Sequence, residues 1–83
     1  MKTIHKFTLD PSTVLTIPAS AKVLTVNLQG GQPHLWIELD TDAPKIQRYF
    51  TSFGTGHEID VPTKAFIGTI FFPDGFVFHV YEV

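Results

Sequence analysis

The stretch Lys22-Val23-Leu24-Thr25-Val26-Asn27-Leu28-Gln29-Gly30-Gly31-Gln32-Pro33-His34-Leu35-Trp36-Ile37-Glu38-Leu39-Asp40 decides the fold class. Neighbouring residues of a strand point to opposite faces. Before the glycines, Leu24, Val26 and Leu28 share one face, with Lys22 at its end, and Val23, Thr25, Asn27 and Gln29 share the other. After them, Leu35, Ile37 and Leu39 share one face, and His34, Trp36 and Glu38 the other. A Gly-Gly link tolerates positive φ at both central positions of a tight turn. The stretch therefore reads as a half-buried β-hairpin.

The same reading extends outward. Turn signals recur about every ten residues, the spacing of a sandwich or barrel: Asp10-Pro11-Ser12, Pro18-Ala19-Ser20, Gly30-Gly31, Asp40 to Pro44, Gly54-Thr55-Gly56, Pro62-Thr63 and Pro73-Asp74-Gly75. The segments between them are rich in Val, Ile, Thr, Phe and Tyr, which suit a pleated, half-buried surface. Seven strands are predicted, near 3–9, 13–17, 22–29, 34–40, 46–53, 65–72 and 76–82, with 57–61 a candidate eighth. Pro73-Asp74-Gly75 predicts a second hairpin, because proline presets the first turn angle and glycine accepts the left-handed one. Asp42-Ala43-Pro44 predicts a third, and successive hairpins imply a meander. Ala43 to Tyr49 is the best helix candidate, at most one turn, against Pro44 and β-branched Ile46. The expectation is a single all-β domain over 1–83: a small antiparallel sandwich or partly open barrel of about seven strands joined by hairpins.

Composition bounds the function. A chain of 83 residues makes one domain, and one that buries only roughly 60–65% of its unfolded surface. No cysteine is available for a disulfide, and charged residues are 17% of the chain. Strand 65–72 is apolar on both faces, with Phe66, Ile70 and Phe72 opposite Ile67 and Phe71. The last strand sets Phe76, Phe78 and Val80 against Val77, His79 and Tyr81. So small a chain cannot cover two such strands alone, so a homo-oligomer is expected, with the face carrying Trp36, His79 and Tyr81 as interface or ligand wall. The net charge is −2 and the basic residues are scattered, which argues against duplex nucleic acid. No apolar run approaches the roughly 20 residues of a membrane helix, and Met1 to Lys6 lacks a signal-peptide core. The expected protein is soluble and cytoplasmic.

Catalytic signatures are missing. There is no Gly-x-Ser-x-Gly elbow, no cysteine nucleophile, and no paired His-x-Thr string. Asp40, Asp42, Asp60 and Asp74 fall in turns, where aspartate is a turn former. His5, His34, His57 and His79 lie in separate segments without the close spacing of a metal site. Neither an enzyme, nor a metal, nor a cofactor is expected. The string Phe53-Gly54-Thr55-Gly56-His57-Glu58 stands out. Glycines on either side of a threonine free the backbone to turn N–H groups outward, an arrangement that binds anions; a tight inter-strand turn needs the same glycines. The candidate ligand site is Gly54, Thr55, Gly56 and His57, with Arg48 or His79 as charged neighbour and Trp36 or an adjacent Phe as stacking wall. A Trp36–Arg48 or Glu38–Arg48 cross-strand pair is the simpler reading of those residues.

Several strings, namely His34-Leu35-Trp36, Asp42-Ala43-Pro44, Phe53-Gly54-Thr55-Gly56-His57, Phe66-Ile67-Gly68-Thr69 and Phe76-Val77-Phe78-His79-Val80-Tyr81-Glu82, resemble a family of small uncharacterised proteins encoded by bacteriophages and prophages. The resemblance begins at Lys2-Thr3-Ile4-His5-Lys6 and spans nearly the whole chain. It implies a phage origin and the host cytoplasm, and transfers no catalytic residue. Small phage proteins of this kind often act on host machinery, sometimes by sequestering a nucleotide immune signal. The expected function is thus a non-enzymatic phage accessory protein that binds a small anionic, nucleotide-like ligand; the alternative is a module that docks on a host protein.

Overall fold

In a computed structural model that describes residues 1–83, the chain forms β1 (Lys2–Thr8), β2 (Ser12–Pro18), β3 (Lys22–Gln29), β4 (Gln32–Asp40), β5 (Lys45–Gly54), β6 (Ala65–Phe71) and β7 (Val77–Glu82). They make two antiparallel sheets, ordered β1-β4-β3 and β2-β5-β7-β6. The molecule measures 40 × 30 × 15 Å, a thickness that admits two layers and no third. It has no helix, so none is long and apolar enough to cross a membrane.

Two hairpins form where the turn chemistry placed them. Gly30 and Gly31 adopt φ of 59° and 77° between β3 and β4, and Gly75 adopts 95° between β6 and β7. The third does not form. β4 lies in one sheet and β5 in the other, so Asp40 to Pro44 carries the chain between layers. Asp40 and Asp42 there hold the N-terminal ammonium, at 3.1 and 2.7 Å. The expected meander gives way accordingly: β1 pairs with β4, β2 with β5, and β5 with β7. The helix candidate at Ala43 to Tyr49 is mostly strand, and 57–61 is not a strand.

Leu35, Ile37 and Leu39 are buried, as their alternation required. The facing of β3 is corrected at its start. A bulge between Val23 and Thr25 inserts a residue, and an inserted residue reverses the alternation. Val23 packs against the core and Leu24 is exposed. The core is thin, built around Ile17, Leu35, Ile37, Phe50 and Val80, each at most 1% exposed. Along one side, β3 and β6 approach without pairing. They come so close that a Cβ on Gly68 would stand 2.9 Å from Val26 Cγ1. The outcome is a two-sheet sandwich and not a closed barrel.

Gly68→Ala is expected to destabilise by about 1–3 kcal/mol in denaturant unfolding, because it forces the two layers apart. Val26→Ala in the same chain should relieve part of that cost, so the pair will be non-additive. Gly31→Val should cost about 1–3 kcal/mol through backbone strain alone. An unchanged midpoint in Gly68→Ala would mean that β3 and β6 do not touch there.

Candidate functional site

The strand registers give the sandwich two unlike ends. At one lie the Gly30–Gly31 and Pro73–Gly75 hairpins, the Leu9–Pro11 connection and the Gly54–His57 turn. At the other lie the Pro18–Ala21 turn and Glu82.

The Gly54–His57 turn closes with His57 N–H donating to Gly54 O at 3.0 Å. Gly56 takes φ of 86°, which glycine accepts at little cost. Gly54 is required for a different reason: a Cβ there would meet the His57 ring at 2.8 Å. The turn offers an anion less than the sequence suggested. Thr55 N–H donates to Val77 O at 3.3 Å and His57 N–H is engaged within the turn, which leaves Gly56 N–H without a backbone acceptor.

His79 is the centre of the arrangement. It projects from the outer face of the four-stranded sheet, paired across the ladders with Phe53 and Thr69. Its Nε2 lies 2.8 Å from Thr55 Oγ1 and its Nδ1 3.1 Å from Thr69 Oγ1. Two hydroxyls, each able to donate or accept, fix the ring whichever nitrogen carries the proton. Beside it Tyr81 meets Phe53 and Phe66 edge-on, with centroids 5.9 and 5.3 Å apart, the favoured aromatic geometry. Phe53, the turn, Ile59, His79 and Tyr81 line a shallow concavity of about 300 Å³. Thr69 went unrecognised in the sequence, although the Pro73–Gly75 hairpin register already sets it opposite His79.

Arg48 and Trp36 do not join this site. Arg48 faces inward from β5 at the opposite end. Its Nε and Nη2 grip the Glu82 carboxylate, each at 2.8 Å, and its Nη1 donates to Ala21 O at 2.6 Å and Pro18 O at 3.2 Å. Both side chains are largely buried, 13% and 12% exposed. A guanidinium with four of its five N–H groups engaged and withdrawn from water does not serve a ligand elsewhere. Trp36 belongs to the three-stranded sheet, stacked obliquely on His34 at 6.0 Å. Its cross-strand neighbours are Lys6 and Thr25. Because β4 and β5 are in different sheets, neither the Trp36–Arg48 nor the Glu38–Arg48 pair exists. No three His, Asp or Glu side chains gather as a metal site would need.

The chain belongs to the DUF7352 family, a domain of unknown function whose model matches residues 1–83. No curated protein and no solved structure matches it significantly.

The Arg48 hydrogen bonds hold the Glu82 carboxyl below its ordinary value of 4.5 and raise the Arg48 guanidinium. A carboxyl depressed by folding stabilises above its unfolded value and loses that contribution as pH falls through its folded value. Unfolding midpoints are therefore expected to drop below about pH 4.5 in the native chain, and Glu82→Gln should flatten that part of the profile. Asp40 is also held low, by the Asp42 N–H and then the terminal ammonium. It is fully exposed, so added salt should weaken its share and leave the share of Glu82. A profile unchanged by Glu82→Gln would deny the ion pair its role.

Proposed function

We propose that this protein is a non-enzymatic accessory protein that works by binding, and that its ligand is a small nucleotide-like molecule with a single phosphate. The observation that carries the reading is His79, fixed between the Thr55 and Thr69 hydroxyls and flanked by the Phe53–Tyr81 pair. An aromatic wall suits a base, and Gly56 N–H with the His57 imidazole suits one anionic group. With Arg48 engaged at the far end, no arginine or lysine lines the concavity. That scarcity of positive charge speaks against a polyphosphate. Thr55, Gly56, His57 and His79 are the binding residues on this reading, with Gly54 as their support. The likeness to small phage and prophage proteins supports a phage origin, action in the host cytoplasm, and sequestration of a nucleotide signal of host defence.

A second reading rests on the same face. Tyr49, Val14 and Phe66 project from it, 46%, 52% and 57% exposed, in a sheet with nothing packed on that side beyond the 55–64 segment. So much exposed apolar surface in a small domain marks a contact. The occupant is a second copy of the chain, which would wall the shallow concavity from its open side.

Isothermal titration with nucleoside monophosphates and cyclic mononucleotides tests the first reading. Saturable heat is expected, abolished by His79→Ala and strongly reduced by Tyr81→Ala, whereas Trp36→Ala on the other sheet should bind as the native chain does. No heat from a folded chain would reject the nucleotide reading and leave a host protein as the partner. Light scattering tests the second: a dimer mass at micromolar concentration is expected, weakened by Tyr81→Ala. A monomer mass would remove it.

A further inference from the structure

We infer that the mouth between the two sheets is a separate binding site, for one free phenol- or indole-sized aromatic molecule that carries a hydrogen-bond donor. The inference is independent of the outer-face reading, because this cavity lies between the layers. Leu9 and Pro33 wall it on the side of the three-stranded sheet, and Ile70, Phe72 and Phe78 on the other, enclosing about 180 Å³. Mouths of β-structures are common ligand sites.

Size and chemistry narrow the occupant. Apolar cavities of about 150 Å³ stay dry and take up benzene, so one ring fits here and a nucleoside does not. The deep lining holds no free donor: Ser52 Oγ donates to Pro11 O at 3.1 Å, no buried side-chain nitrogen or oxygen is left without a partner, and the one free amide, that of Gln32, is exposed at the rim. Water therefore finds little to bond inside. Phe72 and Phe78 already meet edge-on, 84° apart with centroids at 5.6 Å, and a third ring extends that packing. The rim supplies the donor's partner. Asp10 and Gln32 stand at the opening, and the side chain of neither makes a hydrogen bond within the chain. A carboxylate at the edge of an apolar slot favours a ring bearing O–H or N–H over a bare hydrocarbon. Neither Arg48 nor Glu82, which pair at the opposite end of the sandwich, lines this cavity.

The experiment is an NMR titration of the native chain with phenol, indole and toluene. Phenol and indole should give saturable shifts centred on Leu9, Ile70, Phe72 and Phe78, leaving Phe53 and Tyr81 unmoved. Asp10 is exposed, so Asp10→Ala is expected to fold normally. It should weaken phenol by about three- to tenfold, the net worth of one ordinary hydrogen bond, because this carboxylate stays in contact with water, and leave toluene unchanged. Shifts linear in ligand up to its solubility, or centred on Tyr81, would overturn the site. Equal phenol affinity in the native chain and Asp10→Ala would overturn the donor requirement.

Discussion

One guanidinium holds one end of this molecule together. Arg48 ties β5 to the end of β7 through Glu82 and to the β2–β3 turn through the Pro18 and Ala21 carbonyls. Charges withdrawn from water are costly unless their donors and acceptors are met, and here four of the five guanidinium N–H groups and both Glu82 oxygens are engaged. The thin core explains why such a clamp matters. Only eleven residues of 83 are buried, so apolar packing has little surplus against chain entropy. Loss of Arg48 would strand Glu82 and the Ala21 carbonyl together, while the Pro18 carbonyl keeps the Ala21 N–H. A fully buried pair costs about 3–5 kcal/mol to break in this way. About 2–3 kcal/mol suits this one, since its rim still reaches water.

That clamp divides the molecule by chemistry. The clamped end has its buried charges paired, Arg48 with Glu82. The other end gathers the flexible-backbone turns, the slot between the layers and the His79 arrangement on the outer face. On the proposed reading, binding falls at the end where the glycine turns and apolar surface gather. The histidine there is positioned by two neutral hydroxyls, those of Thr55 and Thr69.

Local chemistry made the strands and two hairpins legible in the sequence. Gly30-Gly31 and Pro73-Asp74-Gly75 specify their turns within a few residues, and the alternation of Leu35, Ile37 and Leu39 specifies which side is buried. The connection at Asp40 to Pro44 was misread because its residues suit a hairpin and a sheet crossing equally. Which it becomes depends on β1 taking the place beside β4, a pairing remote in sequence. The same remoteness hid the Arg48–Glu82 pair, 34 residues apart, and left Arg48 looking available to a ligand. Leu24 was misplaced by a single inserted residue. Of the candidate site, the turn residues and His79 do meet, since the hairpin register fixes one strand and the glycines fix the other. Trp36 was drawn in by the false hairpin and by setting it on one face with His79 and Tyr81, which belong to the other sheet.

A double-mutant cycle on Arg48→Met and Glu82→Leu, with all four chains unfolded in denaturant at pH 7, measures the clamp directly. A coupling of about 1.5 kcal/mol or more is expected, with the double variant less destabilised than the sum of the singles. A coupling under about 0.5 kcal/mol, the worth of an ordinary surface pair, would contradict the account and return Arg48 to the surface as a residue free to meet a ligand.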